Sequence, residues 1–267
     1  MKIALIQMAV GGGREENLRR AREGILRAAE TGARLAVLPE MFLCPYDSAC
    51  FPRYAEERGG AAWAALSDAA KEAGLTLAAG SMPERDGEQL YNTCFVFGPD
   101  GREIARHRKL HLFDVDIRGG QRFRESDTLS PGGSPTFFEA DGHRFGLCIC
   151  FDVRFPELFR LSALRGAEAV IVPAAFNGTT GPMHWDLLFR ARAADNQLFT
   201  VGCAPAGDEH AGYVSYAHSI VCSPWGQVIA RAGIGEELLT AELDFALVGQ
   251  VRDQLPLLKA RRPELYE

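Results

Sequence analysis

An α/β layered sandwich is the fold class this sequence predicts. Short β-like apolar runs alternate with helix-like runs along the chain. Glycine or proline closes several of these runs, as punctuation between elements requires. Two hairpin signals interrupt the alternation, so the sheets are expected to be mixed rather than purely parallel.

The elements follow in order. KIALIQM (2–8) reads as a buried first strand. From Arg14 to Thr31 the spacing of Leu18, Ala21, Ile25, Ala28 and Ala29 predicts a helix, with Gly32 as its stop. LAVLP (35–39) is a short strand ending at Pro39, residues 61–74 a helix closed by Gly74, and TLAAG (76–80) a strand. Residues 91–109 predict a hairpin with Pro-Asp-Gly at its turn. Residues 111–135 are polar and rich in glycine and proline, and read as structureless. FGLCIC (145–150) predicts a strand, and 156–167 a helix with Pro156 in its first turn. AVIVPA (169–174) is a strand, 182–196 a helix and LFTVGC (198–203) a strand. A second hairpin over 215–233 turns at SPWG, and ELLTAELD (237–244) is the last strand before a terminal helix and tail. No composition break marks a linker, so one domain over 1–267 is expected.

Composition excludes several function classes. The 267 residues are 47% hydrophobic with a formal net charge of −6, which fits a globular chain and disfavours nucleic acid or an anionic membrane as partner. No apolar run reaches the roughly 20 residues of a membrane span, and the N-terminus lacks a signal-peptide cleavage site. The seven cysteines (44, 50, 94, 148, 150, 203 and 222) are odd in number and several lie in apolar runs, which predicts reduced thiols in a cytoplasm. No CxxC pair or Cys/His zinc spacing occurs, so no metal site is expected. Nucleotide-binding, GxSxG and HExxH motifs are absent as well, and no cofactor is predicted.

Ligands of α/β proteins bind where strands end. Four candidates lie at such places: Glu40 after strand 35–39, Lys109 after the first hairpin, Glu125 in the long loop, and Cys150 at the tip of strand 145–150. Cys148 reads as a small packed hydrophobe. Cys150 is either another such residue or a nucleophile, with its thiolate favoured by the helix start near Pro156. Glu40 is either a solvated loop residue or a base of raised pKa. Lys109, between Arg106, Arg108 and two histidines, is either a basic surface residue or the cation of an oxyanion site. His107, His111, His143, His184, His210 and His218 show no pattern that marks a base.

Taken together, IALIQM, LPE, RKLHLF, GLCICFDVRFPEL, the PWG turn and RRPELY resemble the nitrilase (carbon–nitrogen hydrolase) superfamily over nearly the whole chain. The resemblance implies a four-layer α-β-β-α sandwich that dimerises. It also implies hydrolysis of C–N bonds through a Cys thioester, with Glu40 as general base, Lys109 as lysine, Cys150 as nucleophile and Glu125 as an auxiliary glutamate. Phe151-Asp152 stands where nitrilases have Trp-Glu, which points to an amide substrate. The segments around 111–132 and 175–197 are similar to the omega-amidase branch, which deamidates α-ketoglutaramate and α-ketosuccinamate. Deaminated-glutathione amidases and N-carbamoyl amidohydrolases are the related alternatives, and a catalytically silent binding protein the more distant one. Many members have glycine where this chain has Cys148. Phe151 would supply an oxyanion N–H, and Tyr46, Arg154 and Thr179 are candidates to bind the substrate's distal carboxylate. For Arg154 the competing expectation is a structural ion pair with Asp152 or Glu157. A small-molecule amide and a second copy of the chain, as homodimer or higher homo-oligomer, are the expected partners.

Overall fold

The computed structural model describes residues 1–11, 13–116, 122–207 and 213–266. In chain order they form β1 (Lys2–Gln7), α1 (Arg14–Glu30), β2 (Leu35–Val37), α2 (Phe51–Tyr54), β3 (Glu56–Glu57), α3 (Ala61–Ala73), β4 (Thr76–Ala78), β5 (Met82–Asp86), β6 (Gln89–Phe97) and β7 (Glu103–Arg108). Next come β8 (Asp114–Asp116), β9 (Arg122–Arg124), β10 (Thr136–Ala140), β11 (His143–Leu147), α4 (Pro156–Leu164), β12 (Ala169–Pro173), α5 (Gly181–Asn196) and β13 (Phe199–Cys203). The last are β14 (Ile220–Cys222), β15 (Val228–Arg231), β16 (Glu237–Glu242) and α6 (Ala246–Gln254).

Two mixed sheets stack face to face. The first runs β16-β1-β2-β4-β6-β5-β3 with β7 also paired to β6, and the second runs β10-β11-β12-β13-β14-β15. The alternation of side chains along each strand assigns the layers. In β1, Ile3 and Leu5 join Leu35, Val37, Cys94 and Val96 in one core that also holds Phe145, Ile171 and Val201 of the second sheet. The intervening Ala4 and Ile6, with Ala36, Phe95 and Phe97, face the other way onto Ile25 of α1 and Leu66 of α3. Register places Ile3 beside Leu35 and Leu5 beside Val37, so inward residues adjoin inward residues. Trp185 and Phe189 of α5 and Phe159 of α4 cover the outer face of the second sheet. The layer order is therefore helices, sheet, sheet, helices.

Most predicted elements are present; α2, β3 and β5 are additions that the sequence pattern does not predict, and four further differences stand out. Residues 111–135 are not structureless where described: β8 and β9 form an antiparallel ribbon, and Glu125–Asp127 a 3-10 turn. The ribbon's register sets Asp114 against Arg124, Val115 against Phe123 and Asp116 against Arg122, so most of its cross-strand neighbours are charged rather than apolar. Positions 117–121 of that segment lie outside the described residues. The strand over 145–150 shifts to His143–Leu147, because Cys150 adopts φ +43° and opens a 3-10 turn to Arg154. In the second hairpin, Ala217 and His218 have φ near +60°, which delays the strand to Ile220. The fourth difference is β10, a strand the sequence pattern does not predict; it pairs with β11 across Asp141-Gly142, both at positive φ.

Candidate active site

The four strand-end residues converge. Glu40 leaves β2 three residues beyond its end, Lys109 follows β7 directly, Glu125 opens the turn after β9, and Cys150 opens the turn beyond β11. Glu40, Lys109 and Glu125 are buried at 1%, 0% and 0% exposure, and Cys150 at 5%. Lysine and glutamate are almost never buried this completely unless paired. Here Lys109 Nζ lies 2.9 Å from Glu40 Oε1 and 2.9 Å from Glu125 Oε2.

Hydrogen bonds then distinguish the two oxygens of Glu40. Oε1 accepts from Lys109 Nζ at 2.9 Å, from Asn92 Nδ2 at 2.9 Å and from the Tyr46 hydroxyl at 3.4 Å. Oε2 is buried with no hydrogen-bond partner among the described residues, and Glu40 and Cys150 lie close enough to bias each other's protonation. Glu125 is held from both sides: Oε1 accepts from Tyr46 at 2.8 Å and Oε2 from the Phe113 N–H at 2.6 Å.

Burial and charge set the protonation states. Burial raises the Glu40 pKa, as does the Glu125 charge, against the opposing pull of Lys109. Burial alone would discharge Lys109, but Glu125 and Glu40 outweigh it and hold the ammonium above the ordinary lysine range. Burial, then the Glu40 charge, pushes the Cys150 thiol well up; Lys109 and the Ala175 backbone N–H act in the thiolate's favour without prevailing. The resting site thus holds a neutral thiol beside a basic carboxylate. The sequence expectation of a favoured thiolate is corrected: α4 begins only at Pro156, and the desolvation of Cys150 dominates.

A cavity of about 320 Å³ opens over this cluster, lined by Glu40, Tyr46, Phe123, Ala175 and Tyr213. A narrower recess shares Ala175 and Tyr213 with it and reaches Cys150, Phe151, Arg154 and Thr180. Arg154 lies partly buried with its guanidinium 4.9 Å from the centre of the Phe176 ring, and Nη1 donates to His184 Nδ1 at 3.1 Å. Burial lowers its pKa, and a Cys150 thiolate would act to raise it. Among the described residues it pairs with neither Asp152 nor Glu157, which overturns the expected ion pair. Asp152 instead binds His107 and His111.

Two further expectations are revised. Tyr46 bonds to the glutamates rather than standing as a free carboxylate reader. Thr179 is exposed, its N–H donating to Asn177 Oδ1, and its neighbour Thr180 lines the recess. His210 lies outside the described residues. Asn92, Ala175 and Tyr213 join the site without having been marked by any motif. Asn92 could have been found as the one amide side chain inside the apolar run of β6. Ala175 acts through its backbone, which leaves no signature. Among the described residues no cluster of His, Cys, Asp and Glu has metal-site geometry.

Residues 2–253 match the carbon–nitrogen hydrolase family. The chain belongs to that family. It is 48% identical to an omega-amidase, NIT2, of Xenopus tropicalis over 99% of this chain and 96% of that protein. The crystal structure of Saccharomyces cerevisiae Nit3, a member of branch 10 of the nitrilase superfamily, superposes with a TM-score of 0.90 at 41% identity, covering 98% of this chain and 96% of that one. A mutant of an amidase from Nesterenkonia sp. AN1, which carries acrylamide added at its active-site cysteine, superposes with a TM-score of 0.83 at 30% identity over 100% of this chain and 98% of that one. As a carbon–nitrogen hydrolase the chain has the α/β fold of the nitrilase superfamily, and the stacked sheets described above are that fold.

Proposed function

We propose that this carbon–nitrogen hydrolase is an omega-amidase. It hydrolyses the terminal amide of a small dicarboxylic acid monoamide, with α-ketoglutaramate and α-ketosuccinamate as the favoured substrates. The observation that carries this reading is that the recess reaching Cys150 is also lined by Arg154, and that it shares Ala175 and Tyr213 with the cavity lined by Glu40. Among the described residues Arg154 has no acidic partner, so a substrate carboxylate supplies one. A guanidinium binds a carboxylate through two parallel N–H donors. The full-length similarity to named omega-amidases supports the same substrate class.

Glu40 Oε2 removes the Cys150 proton as Sγ attacks the amide carbon. Lysine has three N–H donors. Two point at Glu40 and Glu125, and the third, which has only a long 3.5 Å contact to the Tyr46 hydroxyl, turns to the oxyanion. The Phe151 N–H, in the first turn of the 3-10 segment after Cys150, is the second donor. One such donor is typically worth about 3–4 kcal/mol of transition-state stabilisation. Glu40 returns its proton to the leaving ammonia, then deprotonates the water that cleaves the Cys150 thioester. Net charge in the cluster is unchanged by the thiol-to-glutamate transfer, so the buried site incurs no new desolvation cost in the attack step.

The seven cysteines are all free, which fits a reducing compartment, and we place the protein in the cytoplasm. No helix of the described residues is long and apolar enough to cross a membrane. We also infer one catalytic domain per chain and a homodimer. Met183 and Leu187, one turn apart on α5, are 60% and 62% exposed, as an unpartnered apolar face would be. Ammonia release tests the function with α-ketoglutaramate beside deaminated glutathione, an N-carbamoyl amino acid and a simple nitrile. Preference for α-ketoglutaramate, lost in Cys150→Ala, is expected; turnover of one of the others alone would overturn the substrate assignment.

A further inference from the structure

We infer that Asp152 is a positioning residue that locks the Cys150 turn to the Lys109 segment. The inference rests on the roles assigned above to Cys150 and Lys109. Asp152 is fully buried, and its two oxygens accept four hydrogen bonds. Oδ1 accepts from His111 N at 3.0 Å and His111 Nδ1 at 2.8 Å. Oδ2 accepts from Ile149 N at 3.0 Å and His107 Nε2 at 3.1 Å. A carboxylate only accepts, so both rings present N–H to it. Burial would raise the Asp152 pKa, but the His107 and His111 bonds hold it far below the usual aspartate range.

These partners flank the reacting groups. His107 and His111 lie two residues to either side of Lys109. Ile149 and Asp152 bracket Cys150 and bond in both directions, since the Asp152 N–H also donates to Ile149 O at 3.0 Å. Cys150 itself sits at φ +43°, a conformation that a non-glycine residue keeps only when its surroundings impose it. His111 is further fixed by stacking on Phe155, at 3.5 Å between ring centres. One carboxylate thus holds the strained nucleophile turn and both flanks of the lysine in a single register.

Asp152→Asn puts an NH₂ group against two N–H donors on one side or the other, which opens half of the clamp. A misplacement near 1 Å costs about a hundredfold in rate. In Asp152→Asn, kcat is expected to fall about 30- to 100-fold with KM within about threefold, the pattern of lost positioning rather than lost binding. Alkylation of Cys150 by chloroacetamide, followed by peptide mapping, slows at least about tenfold. A residue that only supports the fold would lower Tm yet leave kcat per folded molecule and the alkylation rate unchanged; that result overturns the inference. His111→Phe keeps the stack and the backbone donor but removes the Nδ1–H. Its kcat falls about three- to tenfold, and the double variant is no slower than Asp152→Asn within about twofold, since both act through one clamp. If Asp152→Asn does not fold, an unchanged kcat in His111→Phe overturns the inference alone. Turnover by the parent, abolished in Cys150→Ala, judges the proposed reaction separately.

Discussion

Glu125→Gln gives a signed test of how the cluster is charged. Glu125 and Glu40 both touch the Lys109 ammonium, at 2.9 to 3.0 Å, so their nearest oxygens are at most about 6 Å apart. Two unit charges about 6 Å apart at an effective dielectric near 20 interact by about 3 kcal/mol, which is about two pH units. The Glu125 charge raises the Glu40 pKa, so its removal must lower it. Glu40 acts ionised, and activity is lost as pH falls through its pKa in the free enzyme. The acid limb of kcat/KM therefore moves to lower pH in Glu125→Gln, by about one to two units. The plateau falls too, because the new NH₂ must face either the Phe113 N–H or the Tyr46 and Lys109 donors. Ammonia release measured from about pH 3.5 to about 10 reads both effects. An acid limb that stays in place or moves to higher pH would refute this electrostatic account, whatever happens to the plateau.

Other outcomes follow from the same geometry. Lys109→Met strands two buried carboxylates, so stability falls by about 3–5 kcal/mol, and Tm by about 8–15 °C on calorimetry; Glu40→Gln in the same chain recovers part of the Tm but no activity. Arg154→Leu raises KM for α-ketoglutaramate at least about tenfold while sparing a neutral amide of similar length, and an equal effect on both would remove Arg154 from substrate recognition. Gly132→Ala drives a Cβ to 2.2 Å from the Arg108 carbonyl oxygen, beside the Gly132 N–H that holds Lys109 O at 2.8 Å, so Tm and kcat fall together.

The sandwich is legible in the sequence because most of its strands are apolar and α1, α3 and α4 stop at or beside a glycine of positive φ. Ile3, Leu5, Leu35 and Val37 alternate with outward residues, and Gly74 adopts the left-handed φ of +62° that its position predicts. The β8–β9 ribbon is not legible, since cross-strand charge pairs carry no apolar period. The β10–β11 hairpin escapes notice although Asp141-Gly142 is a strong turn signal, because Thr136 to Ala140 lacks clean alternation. Glu40, Lys109, Glu125 and Cys150 can be named from sequence at the ends of elements and through the family resemblance. Their electrostatics cannot, since the raised thiol and the one free oxygen of Glu40 arise from burial and from Asn92, 52 residues away in sequence. For Arg154 a local ion pair is the natural expectation, because its acidic neighbours are close in sequence; the fold turns Asp152 toward two histidines instead.

The central claim is that Cys150 carries the acyl group of the substrate. Protein quenched in acid during steady turnover of α-ketoglutaramate, digested and analysed by mass spectrometry, tests it directly. The account predicts an acyl adduct on the peptide bearing Cys150, which accumulates in Glu40→Gln if any forms and is absent from Cys150→Ala. Undiminished ammonia release by Cys150→Ala, or an adduct on Cys148 in its place, would contradict it.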